Sequence, residues 1–129
     1  MDCLGLREHE NFLLVTDDAV AREIADAIID VARDLGADPV HARIATRRTS
    51  GEEPPPTVAG AMIAADVCLC VASRSIYHTR ATGEAKAAGT RGLFNGPSRL
   101  DTWTHGAMTA DFPALREVAV RLAARLRGA

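Results

Sequence analysis

The sequence has few aromatic residues, one lysine and no excess of either charge. Aromatic side chains make up 4% of the 129 residues, which argues against a surface on which bases or sugars stack. The 15 basic and 17 acidic residues leave a formal net charge of −2, so the chain lacks the basic footprint of proteins that bind nucleic acids or anionic membranes. We therefore expect neither a nucleic acid nor a membrane as a partner.

Long apolar runs and a cysteine framework are lacking as well. No stretch reaches the roughly 18 apolar residues of a membrane span, and the polar N-terminus with Glu8 and Glu10 does not resemble a signal peptide. We therefore expect a cytoplasmic protein. The cysteines are Cys3, Cys68 and Cys70, an odd number that argues against a disulfide framework. We interpret Cys68 and Cys70, which lie in one apolar run, as small buried hydrophobes.

The chain does contain an alternation of strand and helix patterns. Residues 12–15 and 67–72 are continuous apolar runs, which are typical of strands covered on both faces. Residues 40–45 alternate between apolar and polar, as expected for a strand at the edge of a sheet. Residues 93–94 predict a short fourth strand.

Helical patterns separate and follow these strands. The first predicted helix carries apolar residues from Ile24 to Leu35, with Asp17 or Asp18 as its N-terminal cap and Gly36 as its end. Further helices are predicted at residues 56–65, up to Ala88, near Leu100, and after Asp111 as a cap, where Leu115, Val118, Ala119, Leu122 and Leu126 form one stripe.

This alternation predicts an α/β fold in which right-handed crossovers join parallel strands. The two continuous apolar strands belong at the centre and the alternating strand at an edge, so the expected strand order is 2-1-3-4. We therefore predict a Rossmann-like or flavodoxin-like three-layer sandwich, formed as a single domain over residues 1–129.

Ligands of such sheets bind beyond the carboxyl ends of the strands, where the strand order reverses. Polar side chains follow all four predicted strands, including residues 47–53 after the second, and those after the third precede a helix. A helix N-terminus attracts phosphate or carboxylate through its free N–H groups and its positive dipole end. We predict that a site for a small anionic ligand is formed by Ser73, Ser75, His78, Thr79, Arg80, Asp17 and Asn95.

A structural interpretation of these residues stays open. Thr79 would then cap the helix, and the two serines would close the turn through local hydrogen bonds. Asp17 and Asp18 fit a cap better than a cation site, and His78 fits a buried hydrogen-bonded histidine as well as a functional one. Glu52 and Glu53, ahead of three prolines, indicate either a solvated loop or a rigid lip over the crevice.

Motifs for chemistry are missing from the sequence. There is no G-x-S-x-G turn for a nucleophilic serine, no clustered histidines or cysteines for a metal, and no glycine-rich phosphate-binding pattern. We therefore assign no catalytic residue and no metal ligand to this chain.

Two segments carry a family pattern. The first contains Gly51-Glu52-Glu53-Pro54-Pro55, Ala59, Ala61-Met62 and Ala64-Ala65-Asp66-Val67. The second contains Ser73-x-Ser75-x-x-His78-Thr79-Arg80-Ala81, then Ala85, Ala88-Gly89 and Arg91. With these segments, residues 11–127 resemble the N-terminal domain of the aminopeptidase T-like family, the thermophilic metallo-aminopeptidases. Leucyl aminopeptidases and 2,5-dihydroxypyridine 5,6-dioxygenases are relatives in the same superfamily.

The resemblance implies that this chain is a Rossmann-like domain. It also implies that the enzymes of the family bind a divalent metal outside this domain. In the family, glutamates, histidines and an aspartate of a C-terminal domain bind that metal, and no residue here matches them. The resemblance therefore implies no cofactor in this chain and no activity of the domain alone. Metal-dependent peptide hydrolysis would require a partner chain with the C-terminal domain.

Three alternatives to this interpretation stay open. The chain could be a stand-alone module for a small anionic ligand or a peptide, a non-catalytic subunit that forms a homo-oligomer, or a domain of a ring-cleaving dioxygenase relative. Trp103 and Met108 are candidates for an apolar contact surface, although a place in the core suits them equally well.

Overall fold

In the computed structural model, which describes residues 4–128 apart from the side-chain environments at 106 and 107, strands and helices alternate along the chain. The strands are β1 (Asn11–Asp17), β2 (Asp38–Ile44), β3 (Val67–Val71) and β4 (Arg91–Gly96). The helices are α1 (Arg22–Asp34), α2 (Pro56–Ala64), α3 (Arg80–Ala87), α4 (Leu100–Thr104) and α5 (Phe112–Arg127), with a 3₁₀ helix at Gly106–Thr109.

The four strands form one parallel sheet in the order β2-β1-β3-β4. Leu13 of β1 aligns with Val40 on one side and Cys68 on the other, and Cys68 aligns in turn with Gly92 of β4. The predicted α/β fold and strand order are confirmed, including the edge position of the alternating strand β2. The order reverses between β1 and β3, so the loops that leave these two strands diverge there.

The core consists of two layers, one on each face of the sheet. Phe12 and Leu14 point to the face covered by α1, whereas Leu13 and Val15 point to the opposite face, where residues of α2 and α3 pack. Both faces of β1 and β3 are therefore buried, which explains why these strands are continuous apolar runs rather than alternating ones.

Cys68 and Cys70 lie on the same face of β3 and both are buried. Their sulfur atoms are 3.7 Å apart. The hydrogen bond with Cys68 and the burial raise the pKa of the Cys70 thiol well above its ordinary value, because both disfavour the thiolate. The interpretation of these two residues as small buried hydrophobes is confirmed; Cys3 lies outside the described residues.

The helix ends match the predictions at four of five places. Gly36 and Gly89 end α1 and α3 with φ values of +76° and +100°, a region that glycine adopts without strain. Thr79 and Asp111 cap α3 and α5 through their side chains. The predicted aspartate cap of α1 was wrong: Ala21 occupies that position without a side-chain hydrogen bond, and Asp17 is used elsewhere.

Helix α5 exists as predicted, but its apolar stripe is not part of the core. Every residue of α5 is exposed except the half-buried Ala123. Trp103 of α4 instead packs against the α1-side core and donates its indole N–H to the carbonyl of Pro97 at 2.7 Å, and Met108 is half-buried. Within residues 4–128, none of the helices has the length and apolar character needed to cross a bilayer.

Candidate functional site

The Asp17 side chain connects the ends of the two central strands. It is 1% exposed at the end of β1. One carboxylate oxygen accepts the backbone N–H of Ser73 at 2.9 Å and its hydroxyl at 2.6 Å, and the other accepts the N–H of Ala19 at 3.1 Å. Three charge-assisted hydrogen bonds satisfy the buried carboxylate. Two of the predicted site residues, Asp17 and Ser73, are therefore together at the point where the strand order reverses.

The residues between β2 and α2, which we call the proline loop (45–55), lie against the turn that precedes α3. The Gly51 N–H donates to the Ser75 carbonyl at 2.8 Å. The Glu53 carboxylate accepts the N–H groups of Arg80 and Ala81 at 2.6 and 3.2 Å. Hydrogen bonds of the chain itself therefore attach the loop to this turn, while most of its residues, Glu53 among them, are exposed to solvent, so both interpretations of the loop stay open.

Glu53 occupies the place predicted for an anionic ligand. The first N–H groups of α3 are the donors that a phosphate or carboxylate would use, and two of them already bind Glu53. A third, that of Thr82, binds the Thr79 hydroxyl at 3.2 Å. An external anion at this helix end would have to displace the chain's own carboxylate.

Ser75 and Thr79 form local hydrogen bonds in the turn. The Ser75 hydroxyl accepts the N–H of Tyr77 at 3.2 Å. Thr79 is buried, and its hydroxyl donates to the Ile76 carbonyl at 2.7 Å. These contacts match the structural interpretation of both residues, since they close the turn and start α3 without a ligand.

The other predicted site residues are exposed and separate from Asp17. His78 lies edge-on to Tyr77, with ring centroids 4.9 Å apart. Arg80 pairs with Glu84 at 3.7 Å, and its side chain is 81% exposed. Asn95 is exposed near the end of β4. Within residues 4–128, no hydrogen bond joins any of the three to Asp17 or Ser73.

A second polar line runs along the edge strand β2. The Thr16 hydroxyl of β1 is 2.8 Å from Nε2 of His41, and Arg43 binds the carboxylate and the carbonyl oxygen of Asp18 at 3.3 and 3.0 Å. Burial lowers the pKa of His41, and repulsion from Arg43 lowers it further. The sequence analysis assigned β2 no site residue, although its alternating pattern marks His41 and Arg43 as members of one polar face.

The proline loop also contains two arginines in contrasting environments. Glu52 accepts the backbone N–H of Arg48 at 2.9 Å, and this hydrogen bond is the main cause of the lowered pKa of Glu52. The neighbouring Arg47 has a buried Nε atom with no hydrogen-bond partner among the described residues. Buried polar atoms are normally paired, so this unpaired N–H departs from the usual pattern.

The Ser73 hydroxyl is bound by the carboxylate of Asp17. Ser73 donates its hydroxyl to a carboxylate rather than to a histidine, whose neutral nitrogen would accept that proton in a nucleophilic serine site. In the described part of the chain, no three His, Cys, Asp or Glu side chains lie close enough together to hold a metal ion.

No protein-family model matches the chain, and neither a curated protein nor a solved structure is significantly similar to it.

Proposed function

We propose that this chain is the non-catalytic, Rossmann-like subunit of a metal-dependent peptide hydrolase system of the aminopeptidase T type, and that it works by assembling with other chains. The observation that carries the proposal is helix α5, which has 16 residues and buries none of them. A helix of a globular domain packs its apolar stripe against another element. Each exposed leucine forgoes roughly 1.5–3 kcal/mol of burial, so the open stripe favours a surface that a partner covers.

The polar edge of the sheet supports a positioning role for this subunit. The carboxylates of Asp17 and Glu53 already bind N–H or O–H groups of the chain itself, and these bonds hold the turn after β3 in a fixed shape. Following the family resemblance, the metal and its ligands belong to the partner chain. This subunit then contributes a preformed surface next to the partner's metal site.

Complementation of activity tests the proposal. The purified chain is mixed with the metal-loaded C-terminal domain of an aminopeptidase T-like enzyme, and hydrolysis of a leucyl anilide is followed. We expect the rate to rise at least about tenfold over that of the C-terminal domain alone, which corresponds to a barrier lowered by about 1.4 kcal/mol. The absence of any gain with zinc, cobalt and manganese loading would refute the proposal.

Two variants of α5 make this test specific. Leu122→Asp places a charge in the apolar stripe and should abolish the gain in rate. Val120→Asp changes a valine that is similarly exposed, at 57% against 56% for Leu122, but that lies outside the stripe on the helical wheel. It should leave the gain intact. An equal loss with both variants would point to damage of the helix rather than to a docking surface.

One observation favours a second candidate function, the binding of a small anionic ligand at the strand ends. Arg47 offers a buried Nε–H without a partner among the described residues, and a guanidinium suits carboxylate and phosphate. Inorganic phosphate or acetate should then raise the unfolding temperature of the wild-type protein but not that of Arg47→Gln. Equal shifts in both proteins would rule out this candidate.

A further inference from the structure

Helix α5 displays an apolar stripe with basic neighbours. The stripe consists of Phe112, Leu115, Val118, Leu122 and Leu126, whose exposed fractions range from 39% to 72%. Their spacing of three or four residues places them on one side of the helix. The charged residues of α5 are four arginines and one glutamate, so the helix that carries the stripe has a net positive charge.

The same chain has an apolar groove between α1 and α4. We call it the α1 groove; its volume is about 310 Å³, and its lining includes Ala27, Val31, Leu100 and Trp103. Val31 and Leu100 are 45% and 54% exposed. The groove lies on the sheet face that α1 covers, and helices pack side by side on the faces of such sandwiches. Its shape and composition therefore suit an amphipathic helix.

The charges around the groove are opposite to those of α5. Helix α1 carries four acidic residues and two arginines. Glu23 lines the groove, and Asp30 and Asp34 follow on the same side of the helix at helical spacing. Asp30 also pairs with Arg33 at 3.3 Å. The basic helix with an apolar stripe is thus complementary in charge to the acidic helix with an apolar groove, and such complementarity favours one register of docking over others.

We propose that α5 of one chain docks in the α1 groove of a second copy, and that the two chains exchange α5 reciprocally to form a two-fold symmetric dimer. This inference rests on the proposed assembly role: a second copy of this chain covers the α5 stripe, and the metal-binding chain joins the resulting dimer, so Leu122→Asp would abolish the gain in rate by breaking the dimer. Each chain offers one stripe and one groove, so a reciprocal exchange between two copies fills both grooves and closes the assembly. Within one chain the two surfaces are open at the same time, and only seven residues, 105–111, link α4 to α5.

The experiment measures the mass of the full chain in solution by light scattering after size-exclusion chromatography. The wild-type protein should elute at twice the 13.7 kDa chain mass. Leu122→Asp in the stripe and Val31→Asp in the groove should each raise the dimer dissociation constant at least about 30-fold, the effect of losing a hot-spot contact. Val120→Asp is the matched control and should leave the dimer intact.

Mixing the two defective variants distinguishes exchange from other contacts. The Leu122→Asp variant has an unchanged α1 groove, and the Val31→Asp variant has an unchanged α5. The mixture can therefore form a heterodimer with one intact contact between α5 and the α1 groove. We expect the mixture to dimerise more tightly than either variant alone. A dimer that resists both substitutions, or a mixture without rescue, would overturn the inference.

A monomeric wild-type protein would also overturn the inference, and hydrogen exchange then separates the remaining cases. Slow hydrogen exchange in α5 that becomes fast in Leu122→Asp would indicate that α5 docks within its own chain. Both the reciprocal exchange of α5 between two chains and the proposed assembly role would then be wrong. Fast exchange in α5 of the wild-type chain would leave the stripe open to a different protein. The complementation assay with Leu122→Asp then decides whether the assembly role stands without the dimer.

Discussion

Asp17 and Ser73 are 56 residues apart in the sequence, yet the Asp17 carboxylate accepts both the backbone N–H and the hydroxyl of Ser73. The bonds join the loops that leave the two central strands, at the place where such sheets usually open a ligand crevice. The carboxylate is buried, and both of its oxygens accept hydrogen bonds from the chain itself. Its primary effect is therefore to hold the ends of β1 and β3 in register. Asp17 and Ser73, two of the predicted site residues, therefore connect the ends of β1 and β3 directly.

We expect Asp17→Ala to destabilise the protein strongly. The substitution leaves the N–H groups of Ala19 and Ser73 without their acceptor and removes a buried side chain. The free energy of unfolding should fall by about 2–4 kcal/mol, since the loss of the hydrogen bonds of a buried carboxylate and the loss of its packing add. Urea unfolding followed by circular dichroism measures it.

The adjacent aspartate is the control for this experiment. Asp18 is exposed and pairs with Arg43 at 3.3 Å, so Asp18→Ala should cost no more than about 1 kcal/mol. Similar losses for Asp17→Ala and Asp18→Ala would contradict the structural role of the Asp17 carboxylate. They would indicate instead that the negative charge of the two aspartates contributes to stability.

A second prediction concerns Glu53, which caps α3 from a distant loop. Glu53→Ala should lower the free energy of unfolding by about 1 kcal/mol, because a helix start loses its acceptor and a favourable charge. Glu84→Ala, at an exposed glutamate of the same helix, should cost about 0.5 kcal/mol or less. Thermal unfolding of the three proteins gives the comparison.

The Glu53 variant also reports on anion binding. With the carboxylate gone, the N–H groups of Arg80 and Ala81 are free to bind an external anion. Inorganic phosphate should therefore stabilise Glu53→Ala more than the wild-type protein. A smaller shift in the variant would mean that phosphate binds at another place, with Arg47 as the next candidate.

The fold was predictable because it depends on patterns within short segments. Continuous apolar runs identified β1 and β3, alternation identified β2 as an edge strand, and strand–helix alternation gave the topology. The role of Glu53 was not predictable, since its partners Arg80 and Ala81 are 27 and 28 residues away. No local pattern distinguishes a carboxylate that caps a remote helix from one in water.

Helix α5 shows a second limit of sequence patterns. The spacing of Leu115, Val118, Leu122 and Leu126 correctly predicts an amphipathic helix, because helix periodicity is a local property. Where that helix docks depends on a surface elsewhere. The same pattern therefore fits a helix that packs on the core of its own domain and a helix whose apolar stripe is exposed. Only the structure distinguishes the two.

A third prediction follows from the close approach of β3 and β4 at Gly92. A Cβ atom at this position would overlap the backbone carbonyl of Cys68, which belongs to the neighbouring strand and cannot move without breaking the pairing. Gly92→Ala should therefore destabilise the protein by at least about 2 kcal/mol. A Cβ atom at Gly83 of α3 would have no atom outside the helix's own backbone within 4 Å, and Gly83→Ala should stabilise the protein by about 0.5–1 kcal/mol. Urea unfolding of both variants should give opposite signs.

The fourth prediction is a pH dependence that originates at His41. Burial and repulsion from Arg43 lower its pKa below the ordinary 6.5, while the Asp26 carboxylate acts in the opposite direction. The unfolded chain thus binds a proton at His41 more readily than the folded chain does. The free energy of unfolding should fall as the pH drops below about 6.5, and this contribution should level off below the folded pKa.

Replacement of His41 by glutamine isolates this contribution. Glutamine can keep a hydrogen bond to the Thr16 hydroxyl, which lies 2.8 Å from the histidine ring in the wild-type protein, but it does not titrate. Urea midpoints measured between about pH 5 and pH 8 should decline toward acid in the wild-type protein and decline less in His41→Gln. Carboxylates add to the decline only at lower pH, because their ordinary pKa values lie near 4. Parallel curves for the two proteins would show that another group causes the pH dependence and that the Thr16–His41 contact tolerates the imidazolium.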